Sequence, residues 1–194
     1  MDIRKANPHD YIELRKLWQD SFGDSPEYID NLYESLDATG YVLYNEKEVV
    51  SCLTVFDVGT FEGKSISEIY AVCTKNSARE NGYASKLVAF VRDEIKEDGK
   101  VAMICPADEK LIAFYEKLNF ISYFYVCKQS RNSDVPRVKL NIRFEQFVIA
   151  EGEIESNKAL DLDNNQMIVE GMIDVDSGLS KLENKYPYFG FPMK

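Results

Sequence analysis

Apolar residues recur along this chain in two rhythms, one suited to strands and one to helices. Residues 1–6 read as a first strand. Asn7-Pro8 then opens a helix, with Asn7 as N-cap and Pro8 in the first turn, where a missing N–H costs nothing. Leu14, Leu17, Trp18 and Phe22 fall on one helical face and are expected to be buried. Gly23-Asp24 ends that helix, and Ser25-Pro26 starts a second, running to about Leu36. Residues 40–44 and 49–56 read as strands joined by the polar turn Asn45-Glu46-Lys47-Glu48. A loop around Gly59 and Gly63 leads into a strand over 65–74. From about Asn81 to Glu97 the period becomes helical, with Ala84, Leu87, Val88, Val91 and Ile95 on one stripe. Asp98-Gly99-Lys100 ends it. Residues 101–105 are continuously apolar, as in a buried central strand closed by Pro106. Residues 107–118 predict an amphipathic helix with Leu111, Phe114, Tyr115 and Leu118 as its stripe, and 121–127 a strand.

The order is strand, two helices, three strands, helix, strand, helix, strand. It predicts an α/β (α+β) domain: a mixed, mostly antiparallel central sheet with helices on both faces. We divide the chain into a domain over 1–130 and a β-rich extension over 131–194 packed on it. In the extension, residues 129–136 read as a loop and 137–144 as a strand. Residues 147–154 and 167–173 read as a hairpin turning at Asp163-Asn164-Asn165. The aromatic tail Tyr186-Pro187-Tyr188-Phe189-Gly190-Phe191 is expected to lie pinned over the domain. The alternatives are a wall of a ligand pocket or a contact in a homodimer.

Composition narrows the function. The formal net charge is −10, from 33 acidic and 23 basic residues. That balance argues against nucleic acid as a partner and favours a cationic ligand. No apolar run is long enough for a transmembrane helix, and the N-terminus lacks a signal-peptide pattern. The four cysteines lie in apolar strand-like runs without a C-x-x-C pair, as free thiols in the cytoplasm would. His9 is the only histidine, so no metal site is expected.

The chemistry concentrates between Ser67 and Phe120. There a strand runs through a short loop into a helix that opens with Arg79-x-x-Gly82-x-Ala84. A helix N-terminus offers unpaired N–H groups and a positive dipole end, which together bind phosphate. Gly82 and Ala84 are small enough for close approach. Beyond the next buried strand comes Phe114-Tyr115-Glu116-Lys117-Leu118-Asn119-Phe120.

This pair of segments resembles two motifs of the GNAT superfamily of N-acetyltransferases. Arg79-x-x-Gly82-x-Ala84 matches its Q/R-x-x-G-x-G/A pyrophosphate loop, and the second run resembles its F-Y-E-K-L-G-F. Glu80 and Asn119 stand where the family often has glycine. The resemblance covers residues 1–127. It implies acetyl-CoA as co-substrate and a direct transfer to a primary amine of a small molecule or peptide. It also implies that the 65–74 strand splays from the 101–105 strand to receive the pantetheine arm. Main-chain groups of Val72, Cys73 and Thr74 would meet that arm. Arg79, Glu80, Asn81, Gly82, Tyr83 and Ala84 would hold the pyrophosphate, and Tyr115 would protonate the leaving thiolate.

An alkyl amine must lose its proton to attack a thioester, which costs about 4–5 kcal/mol at pH 7. Glu68 is the candidate base, in the place of the glutamate that some histone-type members use. Strand alternation is expected to set Glu68, Tyr70 and Val72 on one face. The alternative function is a catalytically degenerate module or sensor that binds CoA or acyl-CoA.

Overall fold

A computed structural model describes residues 1–61, 63–129, 148–150, 168–179 and 188–192. Among the described residues, nine strands form one sheet: β1 (Asp2–Lys5), β2 (Thr39–Asn45), β3 (Glu48–Phe61), β4 (Lys64–Thr74), β5 (Val101–Ile104), β6 (Phe120–Gln129), β7 (Val148–Ala150), β8 (Ile168–Asp174) and β9 (Tyr188–Pro192). Their spatial order is β1-β2-β3-β4-β5-β8-β6-β9-β7. The β4–β5 and β6–β9 pairs are parallel, and the other six are antiparallel. The fold class is therefore the mixed α/β arrangement expected.

Four α-helices cover the sheet: α1 (Tyr11–Phe22), α2 (Pro26–Leu36), α3 (Tyr83–Glu97) and α4 (Ile112–Glu116). Leu14, Leu17 and Trp18 of α1 and Ile29 and Leu32 of α2 pack on one face with Val42, Cys52, Phe56 and Met103. Leu87, Val88, Val91 and Ile95 of α3, with Tyr115 of α4, pack on the other with Leu53, Ile69 and Ile104. Gly40 lets the first layer dock: a Cβ there would lie 2.6 Å from Leu14 Cδ1 and 2.9 Å from the Tyr33 hydroxyl.

Local signals succeeded where a cap or breaker acts alone. Gly23 adopts φ 74° and donates its N–H to the Gln19 carbonyl, closing α1. Ser25 caps α2 by accepting from the Tyr28 N–H at 3.2 Å. Several boundaries differ from expectation. The first helix begins at Tyr11, because Asn7 Oδ1 accepts from the His9 N–H in a separate turn and Asp10 is the N-cap. Phe22 is 48% exposed at the end of α1. Gly59 lies within β3 at a register shift, so the turn is confined to the neighbourhood of Gly63. The helix expected over 107–118 is a 3-10 turn, Glu109–Leu111, followed by the short α4. Asp108 accepts from the Lys110 and Leu111 N–H groups and starts that turn.

In the extension, β8 inserts between β5 and β6, and β7 pairs with β9. The expected hairpin between 147–154 and 167–173 is therefore replaced by two separate pairings. The strand expected over 137–144, the loop over 130–136 and the turn at Asp163-Asn164-Asn165 lie outside the described residues. The tail residues Tyr188–Pro192 form β9, hydrogen-bonded within the sheet rather than laid over it. The first residues past β8 are tied to the core: Val175 N–H donates to the Asn119 carbonyl at 2.9 Å, and Lys64 Nζ to the Ser177 carbonyl at 2.6 Å.

One buried carboxylate joins β1, α1 and β2. Asp10, 3% exposed, accepts from the Arg4 guanidinium, from the Asn7 N–H at 2.7 Å and from the Tyr44 hydroxyl at 2.8 Å. The hydrogen bond from Arg4, foremost among these partners, holds its pKa down at about 2 against the ordinary 3.8. We predict that Asp10→Asn lowers stability by about 1.5–3 kcal/mol at neutral pH, measured by denaturant unfolding. A carboxylate with a depressed pKa stabilises above its unfolded value and loses that contribution as pH falls through its folded one. The difference between wild type and variant should therefore shrink from about pH 4 toward pH 2. A constant difference would show that charge is not the cause.

Candidate active site

The site is built on an irregularity in β4. Pairing with β3 runs Phe56↔Glu68, Val55↔Ile69, Thr54↔Tyr70, then shifts and resumes at Cys52↔Cys73. The extra residue is taken up as a bulge, with Ala71 at φ 50°. A bulge reverses the alternation of side chains beyond it. Tyr70 packs with the α1–α2 face, whereas Val72 packs with the α3 face. The expectation that Glu68, Tyr70 and Val72 share one face is thus corrected: Glu68 and Tyr70 share it and Val72 does not.

The same segment leaves its other neighbour. β4 pairs with β5 only from Ile66↔Val101 to Ile69↔Ile104. Val72, Cys73 and Thr74 lie beyond that point. β5 ends at Ile104, so these three residues have no partner in it, and β4 runs on into the loop before α3. A 3-10 turn, Asn76–Ala78, follows β4, and Arg79 Nε donates back to the Thr74 carbonyl at 3.4 Å. Asn81 closes the loop by donating its amide to the Ala78 and Arg79 carbonyls at 3.2 and 3.0 Å. Gly82 is the N-cap of α3, at φ 72° and without a side-chain cap. The first intrahelical bond at this end runs from Lys86 N–H to the Gly82 carbonyl. The N–H groups of Tyr83, Ala84 and Ser85 are therefore the orphan donors of this terminus. A Cβ on Gly82 would meet nothing within 4 Å, so the loop is open on that side. An uncapped, open helix start beside the end of β4 fits a diphosphate carrying a long arm.

Tyr115 and Glu68 stand on opposite faces. Tyr115 is 6% exposed and packs edge-on to Phe114 and Phe120, with ring centroids 5.0 and 6.2 Å away. Burial raises its pKa, and the thiols of Cys105 and Cys73 act on it as further neighbours. Glu68 is 1% exposed, with the Cys105 thiol as its hydrogen-bonding neighbour. Burial pushes its pKa up to about 8, although the nearby Cys105 thiol lowers it somewhat. At neutral pH it therefore carries a proton.

Around Glu68 the structure assembles residues that the motifs do not mark. Phe56 is its cross-strand partner and Met103 its partner on β5. Tyr70 packs edge-on to both Phe56 and Trp18, each with centroids 5.6 Å apart. The Tyr28 and Tyr70 hydroxyls lie 3.3 Å apart. Only Tyr70, two residues after Glu68, was legible from the sequence. Tyr28 and Trp18 arrive from helices whose docking no local pattern specifies. Among the described residues, no three His, Cys, Asp or Glu side chains converge as a metal site, and no helix is long and apolar enough to cross a membrane.

Comparison with known proteins bears on the fold. Residues 58–128, from β3 through the bulge and loop to β6, match the family described as FR47-like protein. A probable N-acyltransferase from Enterococcus faecalis is 15% identical, with a TM-score of 0.56 over 64% of this chain and 33% of that one. A GCN5-related N-acetyltransferase from Anabaena variabilis is 24% identical, with a TM-score of 0.54 over 64% and 32%. The chain thus spans about a third of the length of these two. A Bacillus subtilis acetyltransferase, solved in complex with CoA, is 15% identical, with a TM-score of 0.56 over 88% of this chain and 95% of that one. No curated protein matches the sequence. The chain shares its fold with these N-acyl- and N-acetyltransferases.

The two departures from the family pattern both fall at left-handed backbone: Glu80 at φ 66° and Asn119 at φ 61°. Glycine adopts this region freely, asparagine tolerates it, and glutamate is strained there. We predict that Glu80→Gly stabilises the fold by about 1 kcal/mol in denaturant unfolding, whereas Asn119→Gly changes it by less than about half of that. Equal effects at the two positions would refute this account of the loop.

Proposed function

With that shared fold as premise, we propose that this chain is an N-acetyltransferase that passes the acetyl group of acetyl-CoA directly to a primary amine of a small molecule or peptide. The observation that carries this reading is the run of β4 beyond the end of β5 beside the open, uncapped start of α3. The loop from Arg79 through Glu80, Asn81, Gly82 and Tyr83 to Ala84 would hold the pyrophosphate, mostly through main-chain N–H groups. The backbone of Val72, Cys73 and Thr74, free of β5, would hold the pantetheine arm. When bound, the group supplies an acyl already activated as a thioester.

Two side chains then manage protons. Burial raises the pKa of Tyr115, so its hydroxyl keeps its proton throughout the neutral range and is ready where a departing sulfur needs one. Glu68, with its pKa raised to about 8, gives up its proton near neutral pH, and its ionised form would take one from an ammonium that must become neutral. Cys73 has no histidine beside it to activate it, since His9 lies in the turn after β1, so direct transfer is favoured over a cysteine-bound intermediate.

Excess acetyl-CoA should raise the melting temperature. At about 100 times Kd the native state gains roughly 2.7 kcal/mol, or about 5–10 °C for a chain of this size. Gly82→Glu, which fills the open side of the loop with bulk and negative charge, should abolish the shift while leaving the protein folded. No shift in the wild type at millimolar acetyl-CoA would overturn the reading. A shift without turnover on any amine would favour a degenerate CoA-binding module instead.

Tyr115→Phe should reduce kcat 10-fold or more, within the about 10²–10⁴ typical of general acid–base catalysis, with little change in acetyl-CoA affinity. Glu68→Gln should remove the rise in kcat/KM as pH approaches about 8. An unchanged rate in the first variant, or a superimposable profile in the second, would strike that residue from the mechanism.

A further inference from the structure

Ser51 is a buried hydroxyl within β3, 0% exposed and flanked in sequence by the buried Val50 and Cys52. A polar side chain is costly in such a place unless its hydrogen bonds are made. Here they are made across to β4. Ser51 Oγ donates to the Cys73 carbonyl at 2.6 Å and lies 2.9 Å from Thr74 Oγ1. A hydroxyl carries a single proton. Ser51 gives its own to Cys73, so the other bond runs from the Thr74 hydroxyl to Ser51 Oγ. The chain of bonds thus leaves β4 at Thr74, passes through Ser51 and returns to β4 at Cys73.

These bonds fall where β4 has run past its other neighbour. β5 ends at Ile104, the partner of Ile69, whereas Ser51 is the cross-strand partner of Thr74. The adjoining backbone is tied in the same direction: the Lys75 N–H donates to the Val50 carbonyl at 2.9 Å. Cys52 and Cys73 pack with the α1–α2 layer, so Ser51 and Thr74, one position along each strand, turn to the side on which α3 packs. The peptide between Cys73 and Thr74 is planar and trans, so its C=O and N–H point in opposite directions. A Cys73 carbonyl held toward Ser51 on β3 therefore aims the Thr74 N–H away from β3, to the side that β5 does not reach. An amide carbonyl lying along that side would meet a fixed donor.

Resting on the acetyl-CoA reading above, we propose that Ser51 is a positioning residue of the co-substrate site, which aims the Thr74 N–H at an amide carbonyl of the pantetheine arm by holding the Cys73 carbonyl on β3. It touches no reacting atom and acts through the peptide plane that Cys73 and Thr74 share. Thr74 contributes in turn by giving its hydroxyl proton to Ser51, which leaves the Ser51 proton for Cys73. The pyrophosphate loop lies beyond this tie, so a ligand without the arm gains nothing from it.

The test is calorimetric titration of the full chain with acetyl-CoA and with phosphoadenosine diphosphate, the nucleotide of CoA without its arm. Ser51→Ala should weaken acetyl-CoA binding about 5- to 10-fold, the scale of one lost hydrogen bond. The same variant should change binding of the armless nucleotide by less than about 2-fold. Ser51→Cys, a weaker donor of nearly the same shape, should fall between wild type and Ser51→Ala. Thr74→Val should weaken acetyl-CoA binding in the wild type and add nothing in the Ser51→Ala background, because its hydroxyl acts through Ser51. Denaturant unfolding of each variant checks that it is folded before titration. Equal weakening of both ligands would mark a general loss of structure and overturn the inference. Effects of Ser51→Ala and Thr74→Val that multiply independently would overturn it as well. Acetyl-CoA binding left unchanged by Ser51→Ala sinks this inference alone. Failure of the wild type to bind acetyl-CoA sinks the transferase reading and this inference with it.

Discussion

Past Ile69, β4 no longer hydrogen-bonds to β5, and that loss in the middle of a sheet shapes the rest of the site. Interior backbone groups released from a ladder need other partners, because a buried unpaired N–H or C=O costs about as much as a lost hydrogen bond. Here the Cys73 and Thr74 carbonyls accept from Ser51 Oγ and Arg79 Nε. The bulge at Ala71 steers the departing strand, and its left-handed backbone is held in place by pairing with β3 on both sides. On its other side β5 is paired antiparallel with β8.

The bulge also divides the chemistry between two faces. By reversing the alternation, it sends Val72 toward α3 and leaves Tyr70 with Glu68 and the α1–α2 layer. The α3 side offers open main-chain donors and a helix dipole to an anion. The α1–α2 side offers carboxylates and rings to a cation. On the function proposed above, a chain with a net charge of −10 would hold its anionic co-substrate through backbone rather than basic side chains. Its surplus of acid is compatible with a cationic acceptor on the opposite face.

Burial sets the working state of both candidate proton carriers. Tyr115 and Glu68 are each raised by desolvation first, and specific neighbours act second. A carboxyl near 8 and a phenol kept protonated are what acid–base chemistry at neutral pH requires.

Much of this was legible in the residues themselves. Wherever structure depends on a few neighbouring positions, the chain announces it: Gly23 at a helix end, Ser25-Pro26 at a helix start, the apolar run of β5, and the loop from Arg79 to Ala84. These follow from steric rules and backbone hydrogen bonding within a turn or two. Glu80 and Asn119 were visible as departures, but their positive φ angles, and hence the strain at one and the tolerance at the other, were not. Tertiary structure alone decided the bulge that parts Tyr70 from Val72, the place of β8 and β9 in the sheet, and the meeting of Trp18, Tyr28 and Tyr70 around Glu68. Each of these depends on pairing or packing between segments far apart in sequence, where the free energy comes from shared burial and ladder hydrogen bonds that no local pattern records.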